Sequence, residues 1–111
     1  MNEVGAVLVW CPFPNRAKAR EVSNALLDQK LIACANIVGD IEVIYEWNDS
    51  RCNENEVGVL FKTTDAICDE MIQKLGDYHP YDTPAIIGWR CDNSHPSTRA
   101  WLIEQTLSEE G

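Results

Sequence analysis

Residues 79–85, "HPYDTPA", place one imidazole and one threonine each directly before a proline. The residue before a proline is driven out of the helical region toward extended geometry, so His79 and Thr83 are expected to sit in a stiff stretch that presents side chains. The other reactive group in a defined place is Cys11, which closes the apolar run "VGAVLVWC" at 4–11 immediately before Pro12. A thiol and an imidazole are soft donors suited to Cu(I), Cu(II) or Zn(II). The same two groups could also act as nucleophile and base. A hydrolase needs a third, orienting residue and oxyanion donors, and the chain carries neither a nucleophile elbow nor a glycine-rich loop to supply them. Structural roles compete with both readings. A free cysteine at a strand end is commonly a small buried apolar residue, and a histidine in a turn commonly serves a hydrogen bond. Tyr81 and the tryptophans at 10, 47, 89 and 101 suit packing and interface anchoring. His95 before Pro96 reads as the start of a helix.

The elements that must position Cys11 and His79 follow from periodicity. Residues 4–11 form a continuous apolar run, which predicts a central strand buried on both faces. Asn15 is placed to cap a helix through about Lys30, with Ala19, Val22, Ala25 and Leu26 on one face. Residues 31–47 predict one very long strand, or two joined at Gly39-Asp40, with Ile41, Val43, Tyr45 and Trp47 on one side and Glu42, Ile44 and Glu46 on the other. The polar stretch 48–55 predicts a turn, and 56–64 a strand that closes a hairpin with Val57, Val59 and Phe61 on one face. A second helix is expected from Thr64 or Asp65, carrying Cys68, Met71, Ile72 and Leu75 and ending at a left-handed Gly76. Residues 85–91 make the fourth strand. After "DNSHP", a short terminal helix is expected with Ala100, Ile103 and Leu107 on one face and a frayed acidic end.

This order, β-α-β-β-α-β with a trailing helix, predicts an α+β ferredoxin-like sandwich over one domain, residues 1–111, built on a four-stranded antiparallel sheet. Strands one and four then lie side by side and antiparallel, so Cys11 and His79 meet at one rim. The long second strand falls at a sheet edge, and residues 31–47 contain neither the lysine nor the proline that would blunt it. A closed homo-oligomer would cover such an edge. The alternative is a bulge at Gly39-Asp40 that twists the edge away, with the terminal helix across the uncovered face.

Charge and cysteine usage bound the partners and the compartment. The 18 acidic residues against 9 basic ones give a net charge of -9, which excludes nucleic acid and anionic membrane surfaces as expected partners and favours cations. The basic cluster "NRAKAR" spreads around a solvated helix face. Five scattered cysteines without CxxC spacing make no disulfide framework or zinc finger. The N-terminal stretch carries an acidic residue where a signal peptide would be positive, and its apolar run of about eight residues is too short to span a bilayer. A reducing cytoplasm is the expected location.

The pieces "VLVWCPFPNRAKAREVSNALLDQKLIACANIV", "IYEW", "VLFKTT" and "HPYDTPAIIGW", in this order and spacing, make the chain resemble the CutA divalent-cation tolerance family. The resemblance spans nearly the whole chain. It implies a ferredoxin-like homotrimer in which long hairpins of neighbouring subunits pair, similar to the nitrogen-regulatory trimeric signal proteins. It also implies copper or zinc at Cys11, His79 and a glutamate after the second proline. That last position is Ala85 here, leaving Asp82, Cys91 or a neighbouring subunit to lend a further ligand. The hairpin tip "WNDSRCN" replaces the glycine-lysine pair usual in the family, and Arg90 stands where a proline is common. The expectation is a cytoplasmic, non-enzymatic homotrimer for divalent-cation tolerance, with Cys11 and His79 as metal ligands and no organic cofactor. The competing expectation is a trimeric signalling or scaffold protein that takes a small molecule or a protein partner in clefts between subunits.

Overall fold

The computed structural model describes residues 4–107. Its elements are β1 (Ala6–Phe13), α1 (Arg16–Asp28), β2 (Cys34–Trp47), β3 (Ser50–Thr64), α2 (Cys68–Tyr78), β4 (Ile87–Arg90) and α3 (Pro96–Gln105). All neighbouring strands run antiparallel in the order β2-β3-β1-β4, the ferredoxin-like sheet with β1 and β3 in the middle. Alternation along the central strands divides the side chains. Val7, Val9, Cys11 and Phe13 of β1, with Val57, Val59 and Phe61 of β3, face one way and pack under Ala19, Val22 and Leu26 of α1 and Met71 and Leu75 of α2. Fully burying aliphatic and aromatic side chains stabilises by roughly 1.5–3 kcal/mol each, so this layer carries most of the folding energy.

α1 starts where Asn15 accepts a hydrogen bond from the Lys18 N–H at 2.8 Å. It ends at Asp28, two residues before the expected Lys30, because Lys30 itself adopts a left-handed φ of 59° that turns the chain toward β2. α2 begins at Cys68, later than Thr64 or Asp65, because β3 runs on through Thr64. Gly76 does not end it. The helix continues to Tyr78 and stops at His79, which Pro80 holds extended at φ -69° and ψ 140° while its N–H still bonds the Leu75 carbonyl. β4 is four residues long, shorter than the expected 85–91. α3 starts with the His95 ring accepting from the Ser97 N–H and lies on the opposite side of the sheet from α1 and α2. It buries Leu102 against Ala6 and Ala33, with Thr106 also covered, in place of the expected stripe of Ala100, Ile103 and Leu107. The expected acidic frayed end lies outside the described residues.

The polar stretch 48–55 is not a loop. Only Asn48 and Asp49 turn, with φ of 51° and 64°, the pair of left-handed residues that a tight hairpin demands. β3 therefore has 15 residues and pairs with β2 all the way from Trp47↔Ser50 to Cys34↔Lys62. Hydrophobic alternation fails here because this end of the hairpin projects beyond the helices, so neither face has a core to reach. The protein is drawn out to 47 Å in a body only 26 and 22 Å across.

Within the hairpin the register slips once. Ile37 pairs with Val59 and Gly39 with Gly58, leaving Val38 as an extra residue, and Gly39 takes a φ of 135° that L side chains rarely adopt. A one-residue slip exchanges faces. Ala35 and Ile37 pack on the helix-covered core, whereas Ile41, Val43, Tyr45 and Trp47 emerge on the other face, opposite Glu56, Glu54, Cys52 and Ser50.

Candidate functional site

β4 begins at Ile87, opposite Trp10, so beyond that point β1 is paired only with β3 and its other edge has no strand beside it. Pro12 lies in this stretch, where its missing N–H leaves no donor without a partner. Its carbonyl is still an acceptor, and His79 Nε2 reaches it at 2.8 Å. The other ring nitrogen, Nδ1, accepts the Tyr81 N–H at 3.2 Å, which fixes the proton on Nε2. The imidazole is buried and stacked on Phe13 with ring centres 4.7 Å apart. His79 thus pins the "HPYDTPA" segment to the open end of β1.

Cys11 also arrives at Pro12. Its thiol lies 3.6 Å from the same carbonyl and is 0 % exposed. Burial, with the Glu56 carboxylate adding to it, pushes the thiol up to about 12. The sequence reading brought Cys11 and His79 to one rim, and the structure joins them at one carbonyl oxygen. It does not give them free lone pairs. Thiolate formation is opposed by desolvation, both His79 nitrogens are engaged, and Ala85 supplies no donor. Among the described residues no three His, Cys, Asp or Glu side chains converge to hold a metal ion. As arranged in one protomer, these residues do not fit a copper or zinc site, whose donors must be deprotonated and free to bind.

Beside this knot, the hairpin and the 81–85 segment enclose a groove of about 620 Å3 on the sheet face away from α1 and α2. Val43, Tyr45 and Trp47 of β2 form one wall, Glu54 and Glu56 of β3 the floor, and Tyr81 to Ala85 with Pro12 the other wall. Two phenols hold the two glutamates. Tyr81 Oη donates to Glu56 Oε2 at 2.7 Å, and Tyr45 Oη donates to Glu54 Oε1. Both phenols are held above the ordinary tyrosine range, Tyr45 chiefly by its bond to Glu54 and Tyr81 by burial and then by Glu56. No lysine, arginine or histidine lines the groove among the described residues. On the same sheet face Trp10 lies across Gly58, where a Cβ would stand 2.3 Å from the indole Cη2.

Trp47 and Tyr81 were expected to serve packing or interface contacts, Tyr45 to share a strand face with Ile41, Val43 and Trp47, Glu54 to lie in a turn and Glu56 to open the following strand. The legible signal was the spacing of the two glutamates in "NENE", which puts both carboxylates on one face of a strand if that stretch is extended. Asp82, weighed only as a spare metal ligand, lines the groove instead. Cys91 is distant, packed beside Ala6 and Leu102 under α3. All five cysteines are free.

The same face continues past the groove through Trp10 to Ile87 and Trp89 of β4, which stay 64 % and 47 % exposed, while Trp47 at the hairpin tip is 55 % exposed. Contiguous large apolar side chains of this kind are uncommon on a solitary soluble protein.

Comparison with known proteins matches residues 7–105 to the family described as CutA1 divalent ion tolerance protein. The divalent-cation tolerance protein CutA of Pyrococcus horikoshii is 35 % identical over 100 residues, covering 90 % of this chain and 97 % of that one. Its counterpart from Thermotoga maritima is 37 % identical over 101 residues, covering 91 % and 99 %. The crystal structure of divalent ion tolerance protein CutA1 from Ehrlichia chaffeensis superposes with a TM-score of 0.90 at 34 % identity, covering 96 % of this chain and all of that one.

Proposed function

The chain belongs to the CutA1 divalent ion tolerance family, and from that premise we propose that it acts by binding, as a homotrimer whose subunits close over one another's open sheet face. The observation that carries this reading is the slip at Gly39. It sends Ile41, Val43, Tyr45 and Trp47 to the face that already displays Trp10, Ile87 and Trp89, so one protomer offers two sets of large apolar side chains flanking the acidic groove, with an unpaired strand at each side. A second copy covers both at once, which a closed ring does without leaving an edge. Three copies is the count that the family resemblance implies.

A binding role suits the chemistry better than catalysis. The thiol is held protonated, not activated, and the imidazole spends both nitrogens on backbone groups. Copper or zinc held by Cys11 and His79 would require breaking those bonds, so the recognition site is assigned to the acidic groove, which the assembly turns into a cleft between subunits. No helix among the described residues is long and apolar enough to cross a membrane, and five free thiols suit the reducing cytoplasm. The test is to place charge on the open face. Ile87→Glu and Trp89→Glu alter exposed side chains and should leave circular dichroism unchanged while reducing the mass in light scattering to a single chain. Unchanged mass in both variants would defeat the reading.

A further inference from the structure

We infer that the groove between the hairpin and the 81–85 segment is a site for an organic ammonium, a protonated amine carried on an apolar or aromatic body. The inference rests on the binding role proposed above and deepens it by naming the ligand class, from the lining that one protomer brings to that cleft. Its volume of about 620 Å3 lies in the range of roughly 300–1,000 Å3 typical of small-molecule sites, far more than a bare metal ion occupies. Two kinds of group line it, and each recognises a different half of such a ligand.

Glu54, Glu56 and Asp82 bring three carboxylates with no basic side chain among the groove's lining residues. Glu54 and Glu56 are not free to swing away, because Tyr45 and Tyr81 hold each by one oxygen. A carboxylate so held keeps lone pairs that can accept N–H bonds from an ammonium, and charge-assisted bonds of this kind are about twice as strong as neutral ones. The faces of Tyr45, Trp47 and Tyr81 supply the second half. Aromatic faces attract a cation through the ring quadrupole and cover the carbon skeleton of a ligand at the same time. A hydrated divalent ion gains nothing from these rings. A neutral apolar molecule gains nothing from the three carboxylates, and an anion is repelled by them and by the net charge of -9. Only a cation with an apolar body uses both sets.

The test is calorimetric titration of the full-length protein with 2-phenylethylammonium, with its neutral analogue 2-phenylethanol, and with Zn2+ and Mg2+ alone. Saturable binding of the ammonium is expected, with the alcohol and the bare ions at least tenfold weaker. Glu56→Gln should weaken the ammonium roughly tenfold, the loss of one charged hydrogen bond. Trp47→Leu should weaken both organic probes, and Glu21→Gln on α1 should change nothing. Equal affinity for the ammonium and the alcohol would overturn the inference, as would tighter binding of a bare ion or absence of saturable binding by the wild type. Light scattering on the same samples keeps the two proposals apart. An intact trimer that ignores the ammonium defeats the ligand assignment alone, and a single chain that binds it defeats the assembly alone.

Discussion

Gly58→Ala adds one methyl group at the point where β3 passes beneath the Trp10 indole. The added carbon would stand 2.3 Å from Cη2 and 3.0 and 3.1 Å from Cζ2 and Cζ3. Carbon atoms in contact normally sit about 3.5–4.0 Å apart, so the ring or the strand must move by more than about 1 Å. Overpacking of this kind costs about 1–3 kcal/mol. Replacing a strand glycine by alanine recovers about 0.5–1 kcal/mol of backbone entropy, so the clash wins and the variant should be less stable by about 1–2 kcal/mol. In urea, at one fixed protein concentration because assembly contributes to stability, the midpoint should fall by roughly 0.5–1 M. The cause is isolated by repeating the substitution with Trp10→Leu, whose shorter side chain leaves the space above Gly58 open. There the alanine should be neutral or slightly stabilising, so the two changes couple by about 1–2 kcal/mol. Additive effects within about 0.5 kcal/mol would refute the claim that the indole is what excludes a side chain at position 58.

Three further outcomes are expected. Cu(I) and Zn(II) titrated into the reduced protein should show no site tighter than about 10 µM, and Cys11→Ser and His79→Ala should leave that unchanged. His79→Ala should nevertheless cost roughly 2–4 kcal/mol of stability by orphaning the Pro12 carbonyl and the Tyr81 N–H. Tight metal binding lost in both variants would reverse the assignment. Because the folded protein raises Cys11 from 9.0 to about 12, the native state holds that proton more tightly than the unfolded chain. Its contribution is therefore complete below pH 9 and is lost as pH rises through about 12, by up to roughly 1.4 kcal/mol per pH unit. Urea midpoints compared at pH 8 and about 10.5 should fall less in Cys11→Ala than in the wild type, and equal falls would contradict the burial argument.

The sheet order, both crossing helices and the meeting of Cys11 with His79 were legible because each rests on burial. Runs such as "VGAVLVWC" and the spacing of Met71, Ile72 and Leu75 record which side of an element faces the core. The outer hairpin was not legible on the same basis. "SRCNENE" pairs with β2 through backbone bonds and polar side-chain contacts, Arg51 with Glu46 and Tyr45 with Glu54, and carries no apolar face, so its strand had no hydrophobic signal to leave. α2 was ended too early because Gly76 looks like a helix stop, yet Pro80 acting on His79 is what breaks it. The pairing of Cys11 with His79 suggested ligands because residue type says nothing of where lone pairs point. Only the geometry at Pro12 reveals that they are committed. The groove went unrecognised since its residues come from four separate segments, and the bulge that turns Tyr45 and Trp47 toward it shows in sequence only as Gly39-Asp40.

The most direct test of the account is sedimentation equilibrium of the reduced wild-type protein at micromolar concentration. The exposed edge of β2 and the apolar face beside it predict a closed oligomer, and with a chain mass of 12.5 kDa the trimer proposed from the family resemblance is a single species of three times that mass. A soluble species of one chain mass that stays so across the concentration range would contradict it.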